Sequence, residues 1–471
     1  MNRPATSTIY SMLALMLALS GLDQTVLSTA LPTIAQSLHG QSLAPWVFST
    51  YLMASTAVIP LYGKLVDRVG VRPMLLLSTG LFALGSLACA LAASMPILVA
   101  ARGLQGLGGG GLMTLAMLAV ATLYPPAERG RRMALLGSVY SLSTLAGPLA
   151  GALLLQATSW QAAFWINVPC TALAWIVLSL CAFAAPPETR HRLDVAGAAL
   201  LPAALVALLL ATRHDLGPTT TTAATVAGIA LLVIWTYVER RAEDPLLPLA
   251  LFRSAPFAAT AVMSAASGVL LFAAVVFLPL YLQRGLGFGV LNSALHTLPL
   301  MLGITIGAQL GGRRLRGGAS LRVLAALAAA SAVLGFAGLA AVLLFAHDAA
   351  WGLAVALSPL GLGLGVMFPL VTVVAQRSAP PRQIGIATAT PVMLRSLGGG
   401  LGVALLGESL AQHIAQMPIA SGASHAEVAA AMATGVAAVC TWCAVTALVA
   451  LAASRALPPA QRARAATVAP A

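Results

Sequence analysis

Fourteen long apolar runs decide what this chain can fold into. They lie near residues 9–30, 44–63, 73–93, 96–123, 133–155, 161–184, 195–212, 219–238, 256–282, 290–311, 321–345, 351–376, 383–407 and 431–453. A helix needs about 20 apolar residues to cross a bilayer. Fourteen such helices leave only short connections in a chain of 471 residues, 59% of which are hydrophobic. We therefore predict an all-α polytopic membrane protein with fourteen transmembrane helices and no large soluble domain.

The runs fall into sets of six, two and six. We predict a six-helix bundle over 1–184, two inserted helices with their connections over 185–255, a second six-helix bundle over 256–454, and a tail over 455–471. A weak repeat supports this division, because the segments 63–72 and 307–317 each follow the second helix of a set and share a glycine and arginine pattern. Duplicated bundles of this kind are typical of transporters.

The placement of basic residues orients the predicted helices. The net charge of +13 would suggest nucleic-acid binding in a soluble protein. With both termini in the cytoplasm, 21 of the 25 basic residues fall in cytoplasmic segments, two fall outside and two lie within spans. This bias is the one that sets membrane topology. Topology and contact with anionic lipids therefore explain the charge, and we expect no nucleic-acid partner.

The sequence lacks the patterns of an enzyme, a nucleotide site or a metal site. Cys440 and Cys443 form a close pair without a second pair or a histidine nearby. The segment 106–111 satisfies a dinucleotide fingerprint, but it lies within a predicted span and no strand precedes it. Lys64 does not complete a phosphate-binding loop. We expect no metal, no cofactor and no enzymatic activity.

Asp23 is the one carboxylate clearly inside an apolar run, and Arg102 is a cation at the same predicted depth. Counted from Pro32 and Ser94 at the predicted outer ends of their helices, both lie about 12–13 Å below the outer surface. A charge there costs about 2.5–3.5 kcal/mol unless it pairs, protonates or faces water. Two interpretations remain open: a static ion pair that orders the bundle, or a carboxylate that protonates in one state and pairs with Arg102 in the other.

Further polar residues within the spans are candidates for lining a substrate cavity. Thr25, Ser28 and Gln105 lie near the Asp23 level, and Arg395 lies in the middle of helix thirteen with no acid at its depth. Arg395 either faces an aqueous cavity or bonds backbone carbonyls. Glu408, about 20 Å further along the same helix, is either an interfacial residue or a second protonation site.

Two local motifs predict conformational roles. In helix five, Gly147, Pro148 and Gly151 favour a kink and close packing against a neighbouring helix. The connection after helix two contains the candidate gate residues Gly63, Asp67, Arg68, Gly70 and Arg72. Asp67 there can bond the N-terminus of a helix from the other half, while the arginines bond carbonyls or acids and hold the cytoplasmic side closed. The alternative is that the basic residues only set topology.

Four of these segments together resemble the major facilitator superfamily, and within it the 14-helix drug:proton antiporter family of the EmrB/QacA type. They are the helix-one segment 22–32, the loop 63–72, the helix-four segment 102–106 and the helix-five segment 143–152. Segment 160–169 is similar to the entry of helix six in that family. The departures are Ser28, where Asn is usual, Val71, where a basic residue is usual, and Ser143 and Ala152, where Gly is usual; segment 160–169 also lacks the customary Arg and second Trp.

The resemblance implies a secondary transporter of the bacterial inner (plasma) membrane that exports small lipophilic or cationic compounds in exchange for protons by alternating access. It implies that Asp23 carries the proton, that Arg102 tunes it, and that the proton motive force replaces any cofactor. Helix ten contains no acid, which favours neutral or monocationic substrates. The alternatives are a dedicated exporter of an endogenous metabolite or antibiotic and a non-transporting membrane sensor. An accessory periplasmic partner remains an open question.

Overall fold

The computed structural model of the chain is built of helices, and each of the fourteen apolar runs corresponds to one. It describes residues 3–181, 195–211, 217–242, 245, 247, 249–316, 319–345, 350–380, 384–416 and 425–459. The helices are α1 (Arg3–Ser37), α2 (Ala44–Val69), α3 (Val71–Ala90), α4 (Met95–Leu123), α5 (Pro126–Ala157), α6 (Asn167–Leu180), α7 (Val195–Leu210), α8 (Pro218–Arg241), α9 (Ala255–Leu280), α10 (Val290–Arg316), α11 (Leu321–Phe345), α12 (Ala350–Arg377), α13 (Ile384–Ala415) and α14 (His425–Ala453). Short helical turns cover Gln41–Leu43, Ala162–Trp165, Leu249–Arg253, Tyr281–Gly285 and Ser454–Ala456.

The predicted count of fourteen membrane spans is not reproduced. Within the described ranges, twelve helices are long and apolar enough to cross a bilayer. Helix α5 is bent by 45° between Leu135–Thr144 and Ala146–Ala157, and it is a thirteenth span if the two parts cross together. Helix α7 has 16 residues, so it is about 24 Å long against an apolar bilayer core of about 30 Å. Its preceding segment, 182–194, lies outside the described residues.

The first six helices pack mainly on one another, and so do the last six. Helix α1 lies against α5 and α6, while α4 lies between α2 and α3. In the last six, α12 packs on α10 and α11, and α9 packs on α13 and α14. The pair α7 and α8 contacts the rest through α2. The boundaries proposed at residues 184 and 255 stay a prediction, as does the side of the membrane on which the termini lie.

The glycine run of α4 serves helix packing. A Cβ atom at Gly110 would overlap the backbone of Ser55 in α2, and a Cβ atom at Gly108 would overlap the backbone of Phe82 in α3. Absent side chains therefore let three helices approach at backbone distance. This packing accounts for the glycine pattern without a nucleotide.

The two six-helix sets meet near the α1–α2 connection, which we call the α1–α2 end of the bundle. There the Gln283 side-chain amide donates a hydrogen bond to the backbone carbonyl of Thr29, with 3.1 Å between nitrogen and oxygen. Gly407 of α13 lies so close to Pro45 of α2 that a Cβ atom would not fit without a shift. One set thus closes on the other at this end.

Candidate functional site

Asp23 lies in the middle of α1 and accepts hydrogen bonds from two neighbouring helices. Arg102 Nη1 of α4 is 2.7 Å from Asp23 Oδ2, and Gln105 Nε2, one turn further along α4, is 2.8 Å from Oδ1. Asn167 Nδ2, at the start of α6, donates to the same Oδ1 across 3.0 Å. The carboxylate side chain is 2% exposed and the guanidinium is fully buried. Asp23, Arg102, Gln105 and Asn167 form what we call the Asp23 cluster.

The guanidinium of Arg102 has further partners besides Asp23. Its Nη1 also donates to Gln105 Oε1, and its Nε donates to the backbone carbonyl of Val47 across 3.3 Å. The face of the guanidinium lies 4.2 Å from the centre of the Tyr51 ring, which is a cation–π contact. These groups hold the cation in place independently of the carboxylate.

This arrangement makes a proton and Arg102 competitors for one oxygen. Oδ1 of Asp23 already accepts two amide hydrogens, while Oδ2 accepts the guanidinium. A proton on Oδ2 would replace the accepting lone pair with a donor and remove the charge that attracts Arg102. Protonation of Asp23 therefore requires Arg102 to move or to rely on its other partners.

The structure brings together Asp23 and Arg102, which the sequence paired by their depth in the membrane, and it adds Asn167 and Ser86 to the site. Asp23 and Arg102 meet as the depth argument expected, and Gln105 joins them directly. Asn167 and Ser86, which accepts a bond from Gln105 Nε2 at 2.9 Å, received no role from the sequence. The signal for Asn167 was present, since it is an amide side chain within the apolar segment 160–169.

Thr25 and Ser28, both candidates for cavity lining, are buried in this structure. Thr25 Oγ1 donates to the Gly21 carbonyl at 3.0 Å, and Ser28 Oγ donates to the Thr25 carbonyl at 2.6 Å. Thr25 also packs against Gly147 of α5, where a Cβ atom would overlap its hydroxyl. A Cβ atom at Gly151, one turn along, would lie 2.6 Å from Thr29 Oγ1. Gly147 and Gly151, on either side of Pro148, therefore let α5 pack closely against α1, the helix that carries Asp23.

A second group of side chains from both six-helix sets meets in the centre of the bundle. Arg395 of α13 is half-buried, and its guanidinium lies 4.6 Å from the centre of the Phe368 ring of α12. Tyr140 of α5 lies within electrostatic range of Arg395 and beside Gln24 of α1. All four side chains are partly exposed although they lie in the middle of their helices. We call the region where these four side chains meet the central cavity.

Comparisons with known proteins agree with this architecture. The family model described as Major Facilitator Superfamily matches residues 13–403. The chain belongs to this superfamily. Multidrug resistance protein 3 of Bacillus subtilis (strain 168) is 31% identical over 412 residues, which cover 85% of this chain and 79% of that protein. The tetracenomycin C resistance and export protein of Streptomyces glaucescens is 32% identical over 404 residues, covering 83% and 74%.

Solved structures show the same fold. A bacterial homologue of the human lysosomal transporter Spinster, crystallised in an inward-facing conformation, superimposes with a TM-score of 0.68 over 97% of this chain and 98% of that one, at 16% identity. A major facilitator protein is a membrane transporter of small molecules and not an enzyme, as the sequence predicted. The assignment to the 14-helix subtype stays a prediction.

The loop motif of this major facilitator chain makes one contact that the structure describes. Gly70 ends α2 with a φ of 89°, a conformation that side chains rarely adopt. Arg72 Nη2 donates to the backbone carbonyl of Ser179 in α6, which belongs to the same six-helix set. The side chains of Asp67 and Arg68 lie outside the described part, so the contact with the other half stays a prediction.

Glu408, near the α1–α2 end, borders a groove with Trp46 and accepts a hydrogen bond from the Gln412 side-chain amide, with 3.2 Å between nitrogen and oxygen.

Proposed function

We propose that this protein exports small lipophilic, drug-like compounds in exchange for protons, by alternating access of the central cavity to the two sides of the membrane. The observation that carries the proposal is the Asp23 cluster. A carboxylate buried at mid-membrane depth is expensive to keep, and such residues commonly mark proton pathways. In this cluster Arg102 donates to Oδ2 of Asp23, an oxygen that a proton can also take.

The position of α1 suggests how protonation and conformation are coupled. Asp23 and Gln24 are consecutive, so their side chains point about 100° apart around the helix. One joins the buried cluster and the other lies beside Tyr140 in the central cavity. Further along α1, the Thr29 carbonyl accepts the bond from Gln283 of the second set. A shift of α1 on protonation would therefore reach both the cavity and the contact between the sets.

The names of the relatives support a substrate that is a foreign or secreted organic compound. Multidrug resistance protein 3 supports broad export, and the original expectation of lipophilic or cationic compounds remains part of the proposal. The second candidate is a dedicated exporter of an endogenous metabolite or antibiotic, which the similarity to a tetracenomycin C export protein favours. A deletion strain tested against a broad toxicant panel separates the two, because a dedicated exporter changes few responses.

The cellular setting is proposed on the same grounds. We place the protein in the bacterial inner membrane with both termini in the cytoplasm, and we expect α7 and α8, which pack on each other, to cross it as a pair. This pair would complete fourteen spans and separate two six-helix bundles. The arginine-rich connections would then contact anionic lipids. The proton motive force would drive transport without a cofactor.

Proton movement in inside-out vesicles tests the proposal. Vesicles acidified inside are followed with a pH-sensitive dye while lipophilic cations, anions and neutral drugs are added. We expect substrate-triggered proton release from wild type and none from Asp23→Asn. Glu128→Gln is the matched control, since it makes the same carboxyl-to-amide change at an exposed site in the first turn of α5. Proton-coupled export by Asp23→Asn across the pH range would contradict the assignment, and silence from inserted wild type would favour a sensor.

A further inference from the structure

The cation in the central cavity lacks an anionic partner. Among the described residues no acidic side chain forms an ion pair with Arg395, and the one titratable side chain within its electrostatic range is Tyr140. Asp23 is engaged by Arg102, and Glu408 lies about 20 Å along α13. The ring of Phe368 contacts the guanidinium, but a cation–π contact leaves the positive charge in place.

An uncompensated guanidinium inside a membrane protein attracts an anion. Arginine stays charged in proteins, and the cost of holding it in a low-dielectric interior falls when a carboxylate or phenolate binds its planar fork. Charge-assisted hydrogen bonds of this kind are about twice as strong as neutral ones. The half-buried position of Arg395 leaves part of the side chain open to a ligand.

We infer that the central cavity selects lipophilic compounds that carry an anionic oxygen, either a carboxylate or a phenolate, and that Arg395 is their counter-ion. This inference rests on the proposed export function and names its substrate class. The Tyr140 hydroxyl and the Gln24 amide, which lie beside each other, supply further hydrogen-bond donors to the same oxygen. The ring of Phe368, beside Arg395, offers an apolar surface to the rest of the molecule.

The same geometry disfavours organic cations. A cationic substrate would meet the positive charge of Arg395, and none of the described acids is free to offset it at that level of the bundle. Cationic compounds therefore drop out of the substrates predicted from the sequence, which included neutral and cationic compounds.

Two xanthene dyes provide a matched pair of probes. Fluorescein is anionic at neutral pH and rhodamine 6G is cationic, while both share the same ring system. Their binding to the purified full-length protein in detergent is measured by fluorescence polarisation. We expect wild type to bind fluorescein at least about ten-fold more tightly than rhodamine 6G. Arg395→Gln should lose at least about ten-fold in fluorescein affinity without weakening rhodamine 6G, and Arg395→Lys should retain part of the preference.

Arg284→Gln is the control for the loss of a positive charge. Arg284 is also half-buried, but it lies in the helical turn after α9 at the α1–α2 end, and its variant should bind both dyes as wild type does. A wild type that prefers rhodamine 6G, that binds neither dye, or whose preference survives Arg395→Gln would overturn the inference. Proton release in vesicles separates the inference from the proposed function: wild type that binds fluorescein through Arg395 but releases no protons when fluorescein is added would contradict proton exchange and leave the counter-ion role of Arg395 intact.

Discussion

At the scale of single residues, the Asp23 cluster joins an anion and a cation that are both buried within the bundle. Donors from α4 and α6 converge on a carboxylate of α1, so three helices depend on one charged pair. Removing one member of a buried pair leaves the other uncompensated, whereas removing both replaces two ions with neutral groups. The cost of breaking the pair therefore depends on which charge remains.

Arg102→Gln should lower the free energy of unfolding of the purified protein by about 3–5 kcal/mol, because the Asp23 carboxylate then lacks its counter-ion. The double variant Asp23→Asn with Arg102→Gln should be more stable than Arg102→Gln alone and should still fail to couple transport to protons. Thermal denaturation in detergent measures the first expectation and vesicle acidification the second. A double variant no more stable than Arg102→Gln would argue against the pair as the cause.

Asn167→Ala should slow proton-coupled export about ten-fold, because the carboxylate loses one of its three side-chain donors at a cost of about 1–3 kcal/mol. Initial rates of substrate-triggered proton release in vesicles measure the effect. Asn292→Ala, which makes the same change at an exposed position near the start of α10, serves as control. Equal rates for the two variants would remove Asn167 from the site.

At this scale the sequence predicted distance along each helix better than rotation around it. Asp23 and Arg102 could be paired because residue counts from the helix ends give depth. Thr25 and Ser28 lie near the same depth, and both are buried. The sequence could not show which way they face, because polarity hardly encodes the rotation of a helix in so apolar a bundle. Asn167 was missed for a related reason: its partner lies on a helix 144 positions away.

At the scale of helices, the two six-helix sets use the same kind of contact. Helix α5 meets α1 through Gly147 and Gly151, and α13 meets α9 through Gly398 and Gly402. In both pairs the glycines are four residues apart and lie on one face of the helix. The fifth helix of each set thus packs closely on the first helix of the same set, a likeness between the sets that involves residues other than the repeat of segments 63–72 and 307–317.

Gly147→Ala should destabilise the protein by about 1–3 kcal/mol and reduce export, because the added methyl overlaps the Thr25 hydroxyl and separates α5 from α1. Gly137→Ala offers a matched control on the same helix, since no atom lies within 4 Å of its added Cβ. This control should be neutral or slightly stabilising, as alanine favours helix more than glycine does. Similar melting temperatures for the two variants in detergent would show that the crossing tolerates separation.

Helix positions followed from apolar length, whereas the number of spans did not. Each apolar run is helical in the described residues, because a chain in lipid must satisfy its backbone hydrogen bonds internally. The Gly147–Pro148 motif favoured a kink in α5, but the sequence indicated neither the size of the bend, 45°, nor the short length of α7, which has 16 residues. Both features depend on how neighbouring helices support a distorted or short segment.

At the scale of the whole molecule, the two sets pack through α2 on α13 and α5 on α10, and two close contacts between them lie toward one end. Gln283 bonds to Thr29, and Gly407 packs on Pro45, all near the α1–α2 end. Arg72, near the opposite end, bonds within its own set. Alternating access requires these contacts at the α1–α2 end to separate in another state.

Cysteines introduced at Pro45 and Gly407 should therefore form a disulfide that arrests transport. A Cβ at Gly407 would lie 2.7 Å from the Pro45 Cβ, so a small outward shift brings the pair to the separation of about 3.5–4.5 Å between Cβ atoms that a disulfide needs. We expect oxidation to stop export and a reductant to restore it, in a background with the five native cysteines replaced. Pro45→Cys alone, treated in the same way, should remain active, because a Cβ atom is already present at that position. Continued export by the cross-linked protein would mean that this contact does not open.

The buried pair of Asp23 and Arg102 also has an electrical consequence. While the pair is closed its net charge is zero, so the membrane voltage does no work on it when the two sets change orientation. Under the proposed function, a proton on Asp23 leaves the guanidinium as a net charge of one, and each elementary charge moved through 100 mV contributes about 2.3 kcal/mol. A cell interior that is negative would then pull the proton-loaded pair inward, whereas the voltage would not act on the deprotonated pair when the carrier returns with substrate bound.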